Sequence, residues 1–125
     1  MSVASHNDAI IVIQLSQWGA TADLQEANEF LWSKNFTSDY DEFLEKYPWG
    51  STEHGYASSI CSWYETLGAL HKHGLINQQL IFDWLAVDSV WNRIRGFALG
   101  IRKEHRDPRL YSNFESLAEL QSKSQ

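Results

Sequence analysis

Cysteine and proline are scarce in this sequence: Cys61 is the one cysteine, and Pro48 and Pro108 are the two prolines among 125 residues. A single cysteine excludes an internal disulfide and any zinc site built on a cysteine pair. The scarcity of proline leaves long segments in which a helix can form without interruption. Chains without disulfides are typical of a reducing compartment, so we expect a cytoplasmic protein.

Long apolar runs are also lacking. The most apolar run, AIIVIQL at 9–15, is too short to cross a bilayer, and no basic residue precedes it as in a signal peptide. We therefore expect neither membrane insertion nor export. The same run is ambiguous in secondary structure, because its β-branched residues suit a strand, whereas its length and the preceding Asn7 and Asp8 favour a helix over 8–18.

Basic residues are scarce in the first half of the chain. Residues 1–55 hold nine acids and two bases, residues 56–125 hold seven acids and eight bases, and the net charge is −6. Such an acidic chain repels nucleic acid at long range, so nucleic acid is not an expected partner. Six of the ten basic residues nevertheless fall between 93 and 109 and are the candidate anion-binding residues: Arg93, Arg95, Arg102, Lys103, Arg106 and Arg109.

Aromatic residues, in contrast, are abundant. The chain contains six Trp, five Tyr and six Phe, and 43% of its residues are hydrophobic, which is typical of a folded globular protein. Apolar residues recur at helical spacing along most of the chain, which predicts an all-α compact bundle of about six antiparallel helices. We expect one domain over 1–125, with an acidic N-terminal part (1–47), a loop (48–55) and a C-terminal helical part (56–123).

Capping residues predict several helix ends in the first two thirds of the chain. Thr21 is predicted to cap a second helix over 22–34, and a third helix is predicted over 38–47. Gly74 is expected to end a long helix in the left-handed conformation, and Asn77 to cap the helix that follows.

Similar signals lie in the last third. Asp88 or Ser89 is predicted to begin a helix that carries Gly96 and Gly100, a spacing that allows another helix to approach closely. Ser112 and Glu115 have the spacing of a capping box for the last helix.

The densest cluster of reactive side chains is CSWYETLGALHKHG at 61–74. His71 lies on the apolar stripe of the predicted helix and His73 on its far side, so the two cannot share a metal. Cys61 and His71 are ten positions apart, ~15 Å along a helix, too far for a nucleophile and its base. A core-facing helix is favoured, with His71 buried or half-buried.

Known catalytic, metal-binding and phosphate-binding motifs are absent from the sequence, so we expect no metal and no cofactor. The enzyme alternative is a pocket around His71 that also contains Glu65 and Tyr64. Arg93 and Arg95 lie beside an apolar stripe, where they either pair with acids of the N-terminal part or line a groove for an anionic partner.

The C-terminal part resembles an uncharacterised family of short helical proteins, domain of unknown function 4760, mainly over residues 56–120. The matching residues are Tyr64-Glu65, Gly74-Leu75-Ile76-Asn77, Trp91, Arg102, Tyr111, Phe114-Glu115 and Leu117. The resemblance implies a compact helical domain without an assigned activity, so it supplies no catalytic residue. It also implies that Glu65, Trp91, Arg102 and Glu115 form a linked set, which we expect to be a Glu–Arg network that holds helices together rather than a ligand site.

These observations favour a small cytosolic interaction or regulatory module that binds an unidentified protein or its own copy, without a cofactor. Trp18, Trp32 and Trp49 are the candidate interface residues, since a bundle of this size has more aromatic residues than it can bury. The alternatives are an anion or nucleic-acid binder that uses residues 93–109 and an unrecognised enzyme with a site near His71.

Overall fold

A computed structural model describes residues 3–124 and is all-helical within that range, which confirms the predicted helical bundle. Seven helices occupy these residues: α1 (His6–Thr21), α2 (Leu24–Leu31), α3 (Tyr40–Lys46), α4 (Thr52–Lys72), α5 (Gln78–Trp84), α6 (Val87–His105) and α7 (Ser112–Lys123). None of them, over residues 3–124, has both the length and the apolar character needed to cross a membrane.

The central element is α4, which packs against α2, α6 and α7. Its apolar stripe includes Ile60 and Leu67, which are fully buried, and Trp63 and Tyr64, which are nearly so. Burying each of these large side chains stabilises the fold by about 1.5–3 kcal/mol. Helix α6 packs against α7 on one side and α3 on another, so the acidic N-terminal helices and the C-terminal helices share one core.

The ambiguous run at 9–15 is helical and belongs to α1. The helix begins with a reciprocal cap, in which the Ser5 hydroxyl accepts from the backbone N–H of Asp8 and the Asp8 carboxylate accepts from the backbone N–H of Ser5. This capping box satisfies two backbone donors that a helix start otherwise leaves free. Asp8 also accepts from the backbone N–H of Asn77 at 2.8 Å, which joins the start of α1 to the turn before α5.

The helix ends predicted at Gly74 and Asn77 are confirmed, and the cap predicted at Thr21 is wrong. Gly74 adopts the left-handed conformation, with φ 71°, after the C-cap His73 of α4, and the Asn77 side chain accepts from the N–H of Leu80 at the start of α5. Thr21 does not cap α2, because it lies in the last turn of α1 and its hydroxyl donates to the carbonyl of Gln17.

The predicted loop at 48–55 is shorter in the structure and covers 47–51. Ser51 caps α4 by accepting from the N–H of His54, so residues 52–55 already belong to the helix. Helix α6 begins at Val87 without a side-chain cap of its own, not at Asp88 or Ser89. The side chain of Gln121 in α7 serves instead, since its Oε1 accepts from the N–H of Asp88 at 3.0 Å.

The capping box predicted from Ser112 and Glu115 does not form. Tyr111, in the left-handed conformation, precedes α7 and makes no side-chain cap, and Ser112 is already helical. The close approach predicted at Gly96 and Gly100 is confirmed, because a Cβ at Gly96 would overlap the carbonyl of Ser38, and one at Gly100 would overlap the ring of Tyr40. These two glycines therefore let α3 lie directly on α6.

Candidate functional site

The start of α7 is bound by Glu65 of α4. Glu65 Oε1 accepts from the backbone N–H groups of Asn113 and Phe114, both at 3.0 Å, and Oε2 accepts from the Asn113 side-chain amide at 2.8 Å. A carboxylate at a helix N-terminus satisfies free amides and opposes the positive end of the helix dipole. Glu65 therefore caps α7 from another helix.

The other members of the linked set surround the same turn. Trp91 packs edge-on against Phe114, with ring centroids 4.9 Å apart, and Tyr64 stacks on Phe114 at 5.0 Å. Arg102 donates to the carbonyl of Leu110 and to the carboxylate of Glu115, both at 2.8 Å. Glu65, Trp91 and Arg102 thus all contact α7 or the loop before it, and Glu115 belongs to α7.

These contacts use the functional groups of the set for helix packing. Burial also raises the pKa of the neighbouring Tyr64 hydroxyl to about 12. Both Glu65 oxygens accept hydrogen bonds from protein donors. One Arg102 nitrogen, Nη2, is buried and has no protein partner within residues 3–124. The geometry is that of a packing network around the first turn of α7.

His71 lies elsewhere, at the end of α4. Its Nε2 is 2.9 Å from Gln78 Oε1, and it lines a cleft of about 670 Å³ that Asp8 and Asn77 also line. The backbone N–H of Ser5, and next that of Asn77, hold the pKa of Asp8 below its usual value. Tyr64 and Glu65 both contact Phe114 at the start of α7, whereas the cleft that Glu65 lines does not include His71, so His71 stands apart from the other two residues of the grouping suggested as an enzyme site.

Within residues 3–124, Cys61 is not placed to act as a nucleophile, and the possible metal ligands do not form a metal site. Cys61 is fully buried, and burial, followed by the charge of Glu65, raises the pKa of its thiol. A thiol that stays protonated is a poor nucleophile and a poor metal ligand. Over residues 3–124, no group of three or more His, Cys, Asp and Glu side chains is arranged to hold a metal ion.

The candidate anion-binding residues divide into two groups. Arg93 and Arg102 bind protein groups: Arg93 donates to the carbonyls of Leu31 and Ser33 at 2.8 and 2.9 Å and lies over the Phe36 ring. Because Leu31 is the last residue of α2, Arg93 caps the negative end of that helix. Its guanidinium is therefore engaged by backbone carbonyls.

The remaining four basic residues, Arg95, Lys103, Arg106 and Arg109, are exposed. Arg109 approaches the carboxylate of Asp107 at 3.7 Å. Arg95, Lys103 and Arg106 make no ion pair within residues 3–124. The structure thus leaves two basic side chains of α6, and that of its C-cap Arg106, without an ion pair at the surface.

The three candidate interface tryptophans are all exposed, but at different places. Trp18 (40% exposed) lies near the end of α1, Trp32 (53%) follows α2, and Trp49 (55%) lies in the loop before α4. The Trp32 ring is within 5.8 Å of the Arg93 guanidinium, and the Trp49 ring packs on the ring of buried His54 at 4.1 Å. Trp32 and Trp49 therefore each have one face covered by the protein.

Exposed apolar side chains are most concentrated on α1, a feature that the sequence-based choice of tryptophans missed. Ile10 and Ile13 are 52% and 57% exposed, and Trp18 lies on the same helix. Eleven of the sixteen α1 residues are exposed, and none of the eleven is Asp, Glu, Lys or Arg. The run of four β-branched residues at 10–13 is the signal, because a helix with 3.6 residues per turn cannot direct four consecutive side chains into one core.

An apolar groove of about 300 Å³ adjoins α1, where α2, α4 and α5 meet it. Leu24, Trp63 and Trp84 line it, and none of its eleven lining residues is charged. The Trp63 Nε1–H donates to the carbonyl of Leu15, which fixes the indole at the floor between α4 and α1. We refer to the exposed residues of α1 together with this groove as the uncharged surface.

Comparison with known proteins gives one match. The family model described as domain of unknown function (DUF4760) matches residues 4–121, from the segment before α1 almost to the end of α7. No curated protein and no solved structure matches the chain.

Proposed function

The chain belongs to the DUF4760 family, a domain of unknown function, and since membership assigns no activity we propose from the geometry that it is a protein-interaction module. We propose that it binds another protein through the uncharged surface and acts as a regulatory or accessory domain in the cytosol. The observation that carries this proposal is the absence of charge from the exposed part of α1. Residues 1–125 act together as one domain in this proposal.

The composition of the uncharged surface supports a protein partner. In the whole chain 21% of residues are charged, whereas the exposed residues of α1 include none. The centres of protein interfaces are likewise depleted of charged residues. Burying Ile10 and Ile13 against a partner gains about 25 cal/mol for each Å² of apolar surface removed from water. An uncharged, partly apolar helix face therefore suits a protein interface.

A lipid surface suits α1 less well. Helices that lie at a membrane surface carry Lys and Arg on their polar face, which bind anionic headgroups. Helix α1 contains no Lys or Arg, and the chain as a whole carries −6. Electrostatic repulsion from an anionic bilayer would oppose the apolar contacts.

The predicted tryptophans contribute unequally to this proposal. Trp18 belongs to α1 and extends the uncharged surface towards the end of that helix. Trp32 and Trp49 lie outside it, and exposure alone supports a role for them in binding.

Photo-crosslinking in the cell tests the proposal. A photoreactive amino acid replaces exposed Gln14 of α1 or, as a matched control, exposed Glu45 of α3. We expect a light-dependent adduct from position 14 that is absent from position 45 and is lost when Ile10→Glu is added. No adduct from position 14, or an adduct that survives Ile10→Glu, would contradict the proposal.

A second candidate function is the binding of a small anion, favoured by the free basic residues of α6. Arg95 and Lys103, both exposed, fall within ~80° of each other on the helical wheel of α6, and exposed Arg106 follows as the C-cap of that helix. Titration with a polyphosphate at two salt concentrations tests this function. Binding that weakens with salt and is lost in Arg95→Ala/Arg106→Ala supports it, and no binding at low salt excludes it.

A further inference from the structure

Electrostatics restricts where a second copy of this chain could bind. The chain carries a net charge of −6, so two copies repel each other when charged surfaces meet. Acidic side chains such as Asp41, Glu42 and Glu45 project from α3 into solvent. The uncharged surface brings no formal charge to a contact between copies, so the repulsion is weakest there.

We infer that the uncharged surface binds a second copy of this chain, an inference that rests on the function proposed above and names its partner. The two copies associate through an isologous contact, in which α1 of one copy packs against α1 and the adjoining groove of the other. Such a two-fold contact is the commonest form of protein self-association. A surface that meets itself must be self-complementary, and charge of one sign would prevent this.

The side chains of α1 satisfy that requirement. Ile10 and Ile13 can pack on the same residues of a second copy, because hydrophobic contacts are non-directional and need no donor, acceptor or opposite charge. Gln14 and Gln17, exposed on the same side of the helix, each carry both a hydrogen-bond donor and an acceptor. The amide of one copy can therefore hydrogen-bond to the same amide of the second copy. Two carboxylates or two ammonium groups cannot do this, because they carry like charges.

The size of the surface predicts a weak dimer. A helix of 16 residues spans roughly 24 Å, and stable interfaces bury ~1,200–2,000 Å² in total. One pair of helices gives less than that, and the apolar groove beside α1 adds further apolar surface to the contact. We therefore expect an equilibrium between monomer and dimer that shifts with protein concentration in the micromolar range.

Sedimentation equilibrium over a range of protein concentrations measures this association in the wild type, Ile10→Glu and Ile13→Glu. Leu120→Glu is the matched control, since it places the same charge on another exposed apolar residue, on α7. We expect dimerisation to weaken ~10-fold or more in the two α1 variants, because each places two like charges in the contact, and to be unchanged in Leu120→Glu. Circular dichroism confirms that each variant is folded.

A charge-pair rescue distinguishes a direct contact from an indirect effect. Ile13→Lys and Ile13→Glu should each dimerise poorly alone, whereas an equimolar mixture should form a mixed dimer by opposite charge. Crosslinking gives an independent readout, because Cys61 is fully buried and Gln14→Cys then presents the one accessible thiol among residues 3–124. A bis-maleimide should link Gln14→Cys into a product of twice 14.4 kDa, and the same reagent should not link Glu45→Cys.

The outcomes separate this inference from the proposed function. A wild type that stays monomeric at every concentration, with no product from Gln14→Cys, overturns the inference. If position 14 still gives a light-dependent adduct in the cell whose mass differs from twice that of the chain, the interaction module stands with a different partner. Loss of both signals overturns both.

Discussion

Glu65 and Asn113, far apart in sequence, are joined by two hydrogen bonds, from the Asn113 backbone N–H at 3.0 Å and from its side-chain amide at 2.8 Å. The same carboxylate accepts from the N–H of Phe114. Helix α7 therefore obtains its N-terminal cap from α4, and the fit between these two helices includes a hydrogen-bonded contact as well as apolar packing.

Removing this cap should destabilise the protein. We expect Glu65→Ala to lower the free energy of unfolding by about 2 kcal/mol, since it leaves partly buried amides of α7 without their charged acceptor. Glu65→Gln should have a smaller effect, because one amide oxygen can still accept. Urea denaturation followed by circular dichroism measures the change. Glu119→Ala, at an exposed position of α7, is the control, and an equal loss there would refute the capping role.

Arg102 and Glu115 should be energetically coupled. Arg102 donates at once to the Leu110 carbonyl and to Glu115, with both side chains largely covered. We expect Arg102→Ala to cost about 1–3 kcal/mol and Arg102→Lys to recover little of it, because lysine lacks the planar fork that reaches both acceptors. A double-mutant cycle with Glu115→Gln measures the coupling. Strictly additive effects would show that the ion pair contributes nothing.

Two glycine substitutions should have opposite effects on stability. Gly96→Ala places a methyl group where the Ser38 carbonyl lies, and overpacking of this kind costs about 1–3 kcal/mol. Gly55, in the first turns of α4, has open space around its missing Cβ, so Gly55→Ala should stabilise by up to ~1 kcal/mol through helix propensity. Thermal unfolding of the two variants checks the contrast, and a stable Gly96→Ala would argue against the close contact of α3 with α6.

Stability should fall in mild acid because of His54. Its ring lies between Trp49 and Phe97, and its Nε2 has no hydrogen-bond partner within residues 3–124. Burial lowers the pKa of His54, and a hydrogen bond with its own backbone and the charge of Glu104 partly oppose that shift. In the unfolded chain His54 has a pKa near 6.5. As the pH falls, His54 therefore takes up a proton in the unfolded chain before it does so in the folded chain. The free energy of unfolding is therefore largest above pH 6.5 and decreases as the pH falls below it.

Urea midpoints measured above and below pH 6.5 test this dependence. We expect His54→Leu to reduce the decrease, because leucine is apolar at every pH. His73→Gln, at an exposed position, should leave the decrease unchanged. A decrease of the same size in His54→Leu would assign the acid sensitivity to another group.

Local signals in the sequence predicted local features well. Gly74 and Asn77 were identified correctly because a left-handed glycine and a side-chain cap act within a few residues of their own helix. Gly96 and Gly100 pointed correctly to a close approach, although the sequence did not show that Ser38 and Tyr40 fill the space.

Features that depend on distant residues were missed. Ser112 and Glu115 have the spacing of a capping box, but Glu65 binds the free amides, and Arg102 binds Glu115. Residues of α4 and α6 therefore take the place of a local cap. The spacing of residues within α7 gives no sign of these distant partners. The linked set was named from family resemblance, and only the folded chain shows that it surrounds one helical turn.

Helix α1 is attached to the rest of the fold along a narrow strip. Leu15 and Gly19 are buried, residues 11–12 are half-buried against the core, and Asp8 and the Trp63 indole supply the cross-links described above. With so little buried surface, α1 can open locally while the other helices stay packed. Its amide hydrogens should therefore exchange with solvent sooner than those of α4, and any molecule that covers the outward face of α1 should slow that exchange.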